Sequence, residues 1–326
     1  MEAFAYASPA SLNEAVGLLE AQWGRTAVLA GGTDLLSLMK DGAGQPSRLV
    51  NIKNIAELRR IHEESGGYRI GAIVTFDELL THSALPKQFP SLATAAEGVS
   101  SPQIRNMGTA GGDLLQRPRC WYYRGGYGLL AMDNGKSLVP GGDNRYHAIF
   151  GNAGPAYFVS PSSLAPALIA LQAKVTLHGP SGNREVPVEE LFVIPKAESE
   201  REHSIRPNEI LTEISLPAGA HEWRNATYEV REKQALDWPL ATASVALKTE
   251  GGRIREARVV LGHVAPVPWR SHAAEQALEG KSLSESTAAA AGEAATEGAK
   301  PLSDNGYKVQ LVRVAVKRAV LQAKEA

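Results

Sequence analysis

"RNMGTAGGDLLQRPRCWYYR", residues 105–124, joins two kinds of chemistry in one short run. Its first half, Gly108–Leu115, is a small-residue turn, where backbone amides can close around a phosphate because no Cβ stands in the way. Its second half is basic and aromatic and carries Cys120, the only cysteine in the chain. An earlier stretch, "VLAGGTDLL" at 28–36, repeats the first half: a short apolar run, two glycines, a threonine and an acid. One such turn reads well as a plain strand–helix connection. Two of them suggest a dinucleotide pyrophosphate gripped from two sides. Neither fits G-x-G-x-x-G, so a Rossmann fold is not supported. "DNGKS" at 133–137 resembles the end of a P-loop, but Leu130 stands where its first glycine belongs and no strand precedes it.

A chain of 326 residues suits two or three subdomains. With 44% hydrophobic and 21% charged residues the composition is that of a soluble globular protein. The net charge is −1 without a long run of one sign, which argues against a nucleic-acid-binding face. A single cysteine excludes an intrachain disulfide and any all-cysteine metal site. The eight histidines have no metal-ligand spacing, and no G-x-S-x-G supports a hydrolase. The start of the chain lacks a basic segment followed by an apolar one, and no apolar run reaches the roughly 18–20 residues of a membrane span. The expectation is a cytoplasmic protein without a membrane span, or a periplasmic one if a partner carries the export signal.

Periodicity divides the chain into three regions: 1–55, 56–218 and 222–326. The first reads as an α/β unit, with a helix in "SPASLNEAVGLLEAQW", a strand in "TAVLAGG", a helix in "DLLSLMKDG" and a strand in "RLVNI". In the second, "YRIGAIV" is a strand, Thr75 with Glu78 forms a capping box, and "FPSLATAAEGV" is a helix. Residues 117–155 have little periodicity and read as a long loop. "AYFVSPSSLAPALIALQAKVTLHG" then reads as strand, helix and strand, and "EILTEISLP" closes the region. In the third, Gly251-Gly252 marks a hairpin, and Val309, Val312, Val316 and Val320 form one stripe of a final helix. The alanine-rich stretch at 287–299 is compatible with a helix.

The order and spacing of "VLAGGTDLL", "SSPQIRNMGTAGGDLLQRPRCWYYR", "GGDNRYHAIFG", "SPSSLAPALIALQAKV", "NEILTEISLP" and "YEVREKQALDWPLATASVAL" resemble the FAD-binding medium subunits of the molybdenum hydroxylases. These include xanthine dehydrogenase, aldehyde oxidoreductase and CO dehydrogenase, and the chain is most similar to the periplasmic aldehyde oxidoreductase type. The resemblance implies an α+β architecture: an FAD-binding fold of the vanillyl-alcohol oxidase kind in two N-terminal subdomains, followed by a C-terminal α+β domain. It implies an oxidoreductase subunit that passes electrons from an iron–sulfur subunit to an external acceptor, while substrate is oxidised on a molybdopterin subunit. No catalytic residue is expected in this chain. The 2Fe–2S clusters and the molybdopterin are expected on those partner subunits. The alternative is a non-redox scaffold or nucleotide-binding protein that kept the fold and lost the flavin.

Carried over residue by residue, the resemblance places FAD at Val28, Leu29, Ala30, Gly31, Gly32, Thr33, Asp34 and Leu35. The second turn adds Thr109, Ala110, Gly111, Gly112 and Asp113, and Val99 and Ile205 line the site. Ser163 stands where the family often has Asp, and Glu229 where it often has Lys; both departures bear on flavin electronics. The aldehyde oxidoreductase branch carries a 4Fe–4S cluster on the loop that begins at Cys120. Four thiolates are needed and one is present, so no iron–sulfur cluster is expected here. The loop's Arg-, Trp- and Tyr-rich start suggests a partner-docking element.

Overall fold

A computed structural model describes residues 1–233 and 237–325. Gln234–Leu236, inside the last of the motifs quoted above, lie outside the described residues. The first sheet is parallel: β1 (Ala5–Ala7), β2 (Thr26–Leu29) and β3 (Arg48–Asn51) run in the order β1-β3-β2. Its connecting helices have ends that the sequence specifies. Ser11 Oγ accepts the Glu14 amide at the start of Leu12–Gly17, and Gly42, at φ 76°, closes Leu35–Asp41 in the left-handed region.

β4 (Ile61–Glu64) and β5 (Gly67–Gly71) begin an antiparallel sheet that the chain then leaves. After a small hairpin of β6 (Met132–Asp133) and β7 (Lys136–Ser137) it returns as β8 (Lys174–Gly179), β9 (Gly182–Pro187) and β10 (Ile210–Leu216). The resulting order is β4-β5-β10-β8-β9. The Thr75–Glu78 capping box forms as the sequence predicts, with the Thr75 amide donating to the Glu78 carboxylate at 2.8 Å. Helices Pro90–Glu97 and Ala165–Ala170 pack into the largest core, and every residue of the second is buried.

The last sheet is antiparallel, β11 (Arg224–Val230), β12 (Ala241–Glu250), β13 (Arg253–Gly262) and β14 (Trp269–Arg270) in sequence order. Gly251 and Gly252, at φ 57° and 75°, form the predicted two-residue turn between β12 and β13. Helices Glu285–Ala294 and Tyr307–Glu325 cover this sheet. Val312, Val316 and Val320 are wholly buried there, and each contributes about 1.5–3 kcal/mol on removal from water.

One expected strand is absent and two strands were not expected. No strand forms over 156–160: the Ala148 amide donates to the Tyr157 carbonyl and the Ser160 amide to the Ala265 carbonyl, but no ladder develops. β9 and β11 were not legible as strands. β9 is a polar edge strand, and β11 shows three consecutive buried positions rather than alternation.

Residues 117–155 hold one short helix, Trp121–Arg124, besides the β6–β7 hairpin. The segment is a strap between the two cores. Tyr123, Leu129 and Leu130 pack with Leu38, while Ile149 and Phe150 enter the core of the last sheet. Asn305 Nδ2 donates to the carbonyls of His147 and Ala148, and Lys308 Nζ to that of Tyr146. Burial here follows individual tethers, which is why no period marks it.

Candidate functional site

β2 ends at Leu29, and the chain turns through Ala30–Asp34 into helix Leu35–Asp41. A side chain on Gly31 would overlap the carbonyl oxygen of Met107, so the two glycine turns meet backbone to backbone. Gly32 holds φ 77°, and a Cβ there would lie 3.2 Å from Leu29 Cδ1 and Leu36 Cδ1. Among the described hydrogen bonds, the amides of Gly32, Thr33, Asp34 and Leu35 have no protein acceptor. All four residues line a cavity of about 420 Å³.

The second turn uses its amides differently. The Ala110 amide donates to the Val74 carbonyl at 2.8 Å and the Gly111 amide to Ala72 at 2.9 Å. Thr109 Oγ1 accepts the Gly112 amide at 3.1 Å and caps the short helix Ala110–Leu114. A Cβ on Gly111 would stand 2.8 Å from that of Ala72. This turn is stitched to the second sheet and still presents Thr109, Gly111 and Gly112 to the cavity.

The cavity therefore gathers Val28, Ala30, Gly31, Gly32, Thr33, Asp34, Leu35, Thr109, Gly111, Gly112 and Ile205 from the expected residues. Leu29 and Ala110 turn into the core. Val99 packs on the largest core, and its carbonyl accepts from Arg105 Nη1 at 3.0 Å. Asp113, Ser163 and Glu229 lie off the cavity lining, behind the second turn. Asp113 is buried and accepts four bonds: Ser162 Oγ at 2.5 Å, the amides of Ser163 and Leu164 at 3.1 and 2.9 Å, and Gln116 Nε2 at 2.9 Å. Burial raises its carboxyl to about 6 against those donors. Glu229 is buried beside Asp113 and pairs with Arg231; burial raises its carboxyl, and its Oε1 has no partner. Gly98 is the residue that leaves room for this pair, since a Cβ there would meet both Glu229 and Arg231.

Asp34 would oppose an anion in the cavity if its charge were free. It is not. Arg124 Nη2 donates to its Oδ1 at 2.7 Å, the Arg117 amide to its Oδ2 at 2.8 Å, and Arg119 stands 3.5 Å away. Arg117 in turn donates to both oxygens of Glu202, at 2.5 and 3.1 Å, and lies 5.0 Å from the Tyr123 ring centre. The arginines of the strap are thus engaged by this chain itself, while Trp121, Tyr127 and Tyr146 keep more than a third of their surface exposed.

Two cavity residues and one behind the lining were not anticipated. Arg201 stacks over Trp23 at 4.7 Å on the lining, and Lys53 Nζ donates to the Ala30 carbonyl at 3.1 Å behind the first turn. Nothing in their neighbourhood forms a motif; only the fold brings them together. Among the described residues, no three His, Cys, Asp or Glu side chains are placed to hold a metal ion. No helix there is long and apolar enough to cross a membrane.

Comparison with known proteins agrees with this architecture throughout its length. The model of the FAD binding domain in molybdopterin dehydrogenase matches residues 2–219, and that of the CO dehydrogenase flavoprotein C-terminal domain matches residues 226–323. The carbon monoxide dehydrogenase medium chain of Hydrogenophaga pseudoflava is 31% identical over 97% of this chain and 96% of its own. The FAD-binding subunit of the Escherichia coli aldehyde oxidoreductase is 28% identical over 91% of each chain. Among solved structures, carbon monoxide dehydrogenase from H. pseudoflava superposes with a TM-score of 0.77 at 31% identity, covering 99% of this chain and 98% of that one. Quinoline 2-oxidoreductase from Pseudomonas putida 86 does so at 0.76 and 26%, with the same coverage. With the glycine turns, the free amides and both domain matches in register, this chain belongs to the family of FAD-binding medium subunits of the molybdenum hydroxylases.

Proposed function

We propose that the cavity between the two glycine turns holds FAD, and that the chain is the electron-transfer subunit of a molybdenum hydroxylase complex. The observation that carries this reading is the row of unpartnered amides from Gly32 to Leu35 on the cavity wall. Those donors suit a pyrophosphate, and the Asp34 carboxylate among them is paired with Arg124 and accepts the Arg117 amide. The residues present therefore fit the group. Gly32, Thr33, Asp34 and Leu35 would hold the pyrophosphate through backbone, and Gly111 and Gly112 would let it approach from the other turn. Trp23 and Arg201 offer a flat wall, and Ile205 an apolar one. Bound FAD supplies one- and two-electron redox chemistry, which no side chain of this protein provides.

What the chain adds is position and charge. The Asp113 and Glu229 carboxyls, both raised by burial, stand behind the second turn, the second of them paired with Arg231. They would set the electrostatic field there without contributing a nucleophile. The expected partners are an iron–sulfur subunit and a molybdopterin subunit, in keeping with relatives described as medium chains. The purified chain should be yellow and release stoichiometric FAD, not FMN, on acid denaturation. Colourless protein that also fails to take up added FAD would sink the reading and favour a scaffold.

A further inference from the structure

A second cavity, of about 220 Å³, lies between the strap and the last sheet. It is smaller than the roughly 300–1,000 Å³ sites of drug-sized ligands, so it suits a single-ring molecule. Trp121, Tyr146 and Trp238 supply aromatic walls, with Phe158 and Leu240 among the apolar ones. The charged groups of the lining are not paired with one another. Lys308 is 1% exposed, and its Nζ donates to the carbonyls of Tyr146 and His263, both at 2.8 Å. No carboxylate pairs with it among the described residues, so when protonated it is a buried ammonium without a counter-ion. Arg119 stacks 4.5 Å from the Trp238 ring centre; its Nη2 reaches Asp34 at 3.5 Å, outside this lining, while its Nε is buried with no acceptor.

The two acids on this lining do not answer those cations. The Glu232 carboxylate accepts from the Tyr146 hydroxyl at 3.3 Å, and Asp237 accepts the amides of Lys233 and Trp238, both at 3.0 Å. The remaining titratable groups add no negative charge. The Cys120 thiol is hydrogen-bonded to His147 Nε2 at 3.2 Å, and burial raises it. Burial and the neighbouring Lys308 hold His147 near 4 and His263 near 3, so both rings are neutral.

We propose that this cavity binds a small aromatic carboxylate, its ring between Trp121 and Trp238 and its charge on Lys308 and Arg119. The anion supplies the counter-ion that the protein withholds from a buried ammonium, and it gives the Arg119 Nε an acceptor. Burial lowers the Lys308 ammonium to about 7, and a bound carboxylate would raise it again. None of these contacts uses the free amides of the first cavity.

The test is titration of the full chain with benzoate, and with benzamide as its uncharged counterpart, by tryptophan fluorescence and calorimetry. Benzoate should bind at least about tenfold more tightly than benzamide, because a charge-assisted pair is lost with the charge. Lys308→Met and Arg119→Gln should each weaken benzoate by about tenfold or more. If Lys308→Met does not fold, Arg119→Gln decides alone. Affinity should be the same with and without FAD. Equal binding of benzoate and benzamide, no binding at about 10 mM, unaltered affinity in the folded variants, or binding only to FAD-free protein would each overturn the proposal. A chain that binds benzoate as stated but never binds FAD would overturn the flavin reading and leave this one standing.

Discussion

The two glycine turns have nearly the same letters, GGTDLL at 31–36 and GGDLL at 111–115, and the structure puts them to different physical uses. In the first, four successive amides are left without a protein acceptor, and the acid reaches sideways to the strap's arginines. In the second, the amides are tied to Ala72, Val74 and Thr109, and the acid is buried under four donors. The first turn is built to meet a ligand. The second is built to hold the sheet, and it touches the ligand site only by its small residues. Glycine in the first is needed for a positive φ at Gly32 and for the contact with Met107; in the second, Gly111 is needed because Ala72 is already there.

The largest effect should come from filling either contact. Gly31→Val would drive its side chain into the Met107 carbonyl, and Gly111→Leu would drive its own into Ala72. Overpacking against backbone costs about 3 kcal/mol or more. Both variants should therefore melt several degrees lower even without flavin, so lost FAD binding in them does not by itself report on the cradle. Thermal unfolding of the FAD-free proteins checks this. A Gly111→Leu variant with unchanged Tm would break the claim that the second turn is structural.

Next is Asp113. Asp113→Ala leaves the Ser162 hydroxyl, the Ser163 and Leu164 amides and Gln116 without their acceptor, at a cost of about 3 kcal/mol. Asp34→Ala, on a partly exposed network, should cost about 1 kcal/mol and loosen the strap. Denaturant unfolding of the pair tests the ranking. If Asp34→Ala proves the more damaging, the roles of the two acids are reversed.

Asp113 also makes the comparison sensitive to pH. Its folded pKa, about 6, stands above the unfolded value of 3.8. A raised folded pKa contributes stability that is full below 3.8 and is lost as pH rises through about 6. Asn at this position does not titrate. The Tm advantage of wild type over Asp113→Asn should therefore be greatest near pH 4 and shrink towards pH 6. An advantage that is flat across that window rules out this titration.

Much of this was legible in the sequence, for physical reasons. The Gly251-Gly252 hairpin, the Thr75–Glu78 box and the valine stripe of the last helix are local signals, decided by φ, by a cap and by a 3.6-residue period. The glycine turns could be found because they need residues without a side chain. What could not be read was who bonds to whom across the chain. Arg117 and Arg124 meet Asp34 from 83 and 90 residues away, and Arg201 meets Trp23 from a different region altogether. The basic run from 117 to 124 gave no sign of which acids within this chain its arginines meet. The strap looked featureless because its order comes from single tethers to Asn305 and Lys308. Nearly identical letters in the two turns could not reveal which set of amides was free.

The smallest expected effects separate the turns most cleanly. Thr109→Ala removes the oxygen that accepts the Gly112 amide and so costs the second turn an N-cap, about 1 kcal/mol. Gly32→Ala places a side chain at φ 77°, again at about 1 kcal/mol, with its Cβ in tight contact with Leu29 and Leu36. The two substitutions should lower Tm by similar small amounts in FAD-free protein. They should differ in the flavin. Gly32→Ala disturbs the turn that presents the unpartnered amides and should weaken FAD by about tenfold or more, because the bonds lost are to a charged pyrophosphate. Thr109→Ala frees an amide that was already engaged by the protein and should leave FAD affinity within about twofold, a few tenths of a kcal/mol. Flavin titration of both proteins reads the contrast directly. Equal losses of FAD would mean that the second turn's amides bind the ligand as well, and the division between a ligand-facing turn and a structural one would have to be abandoned.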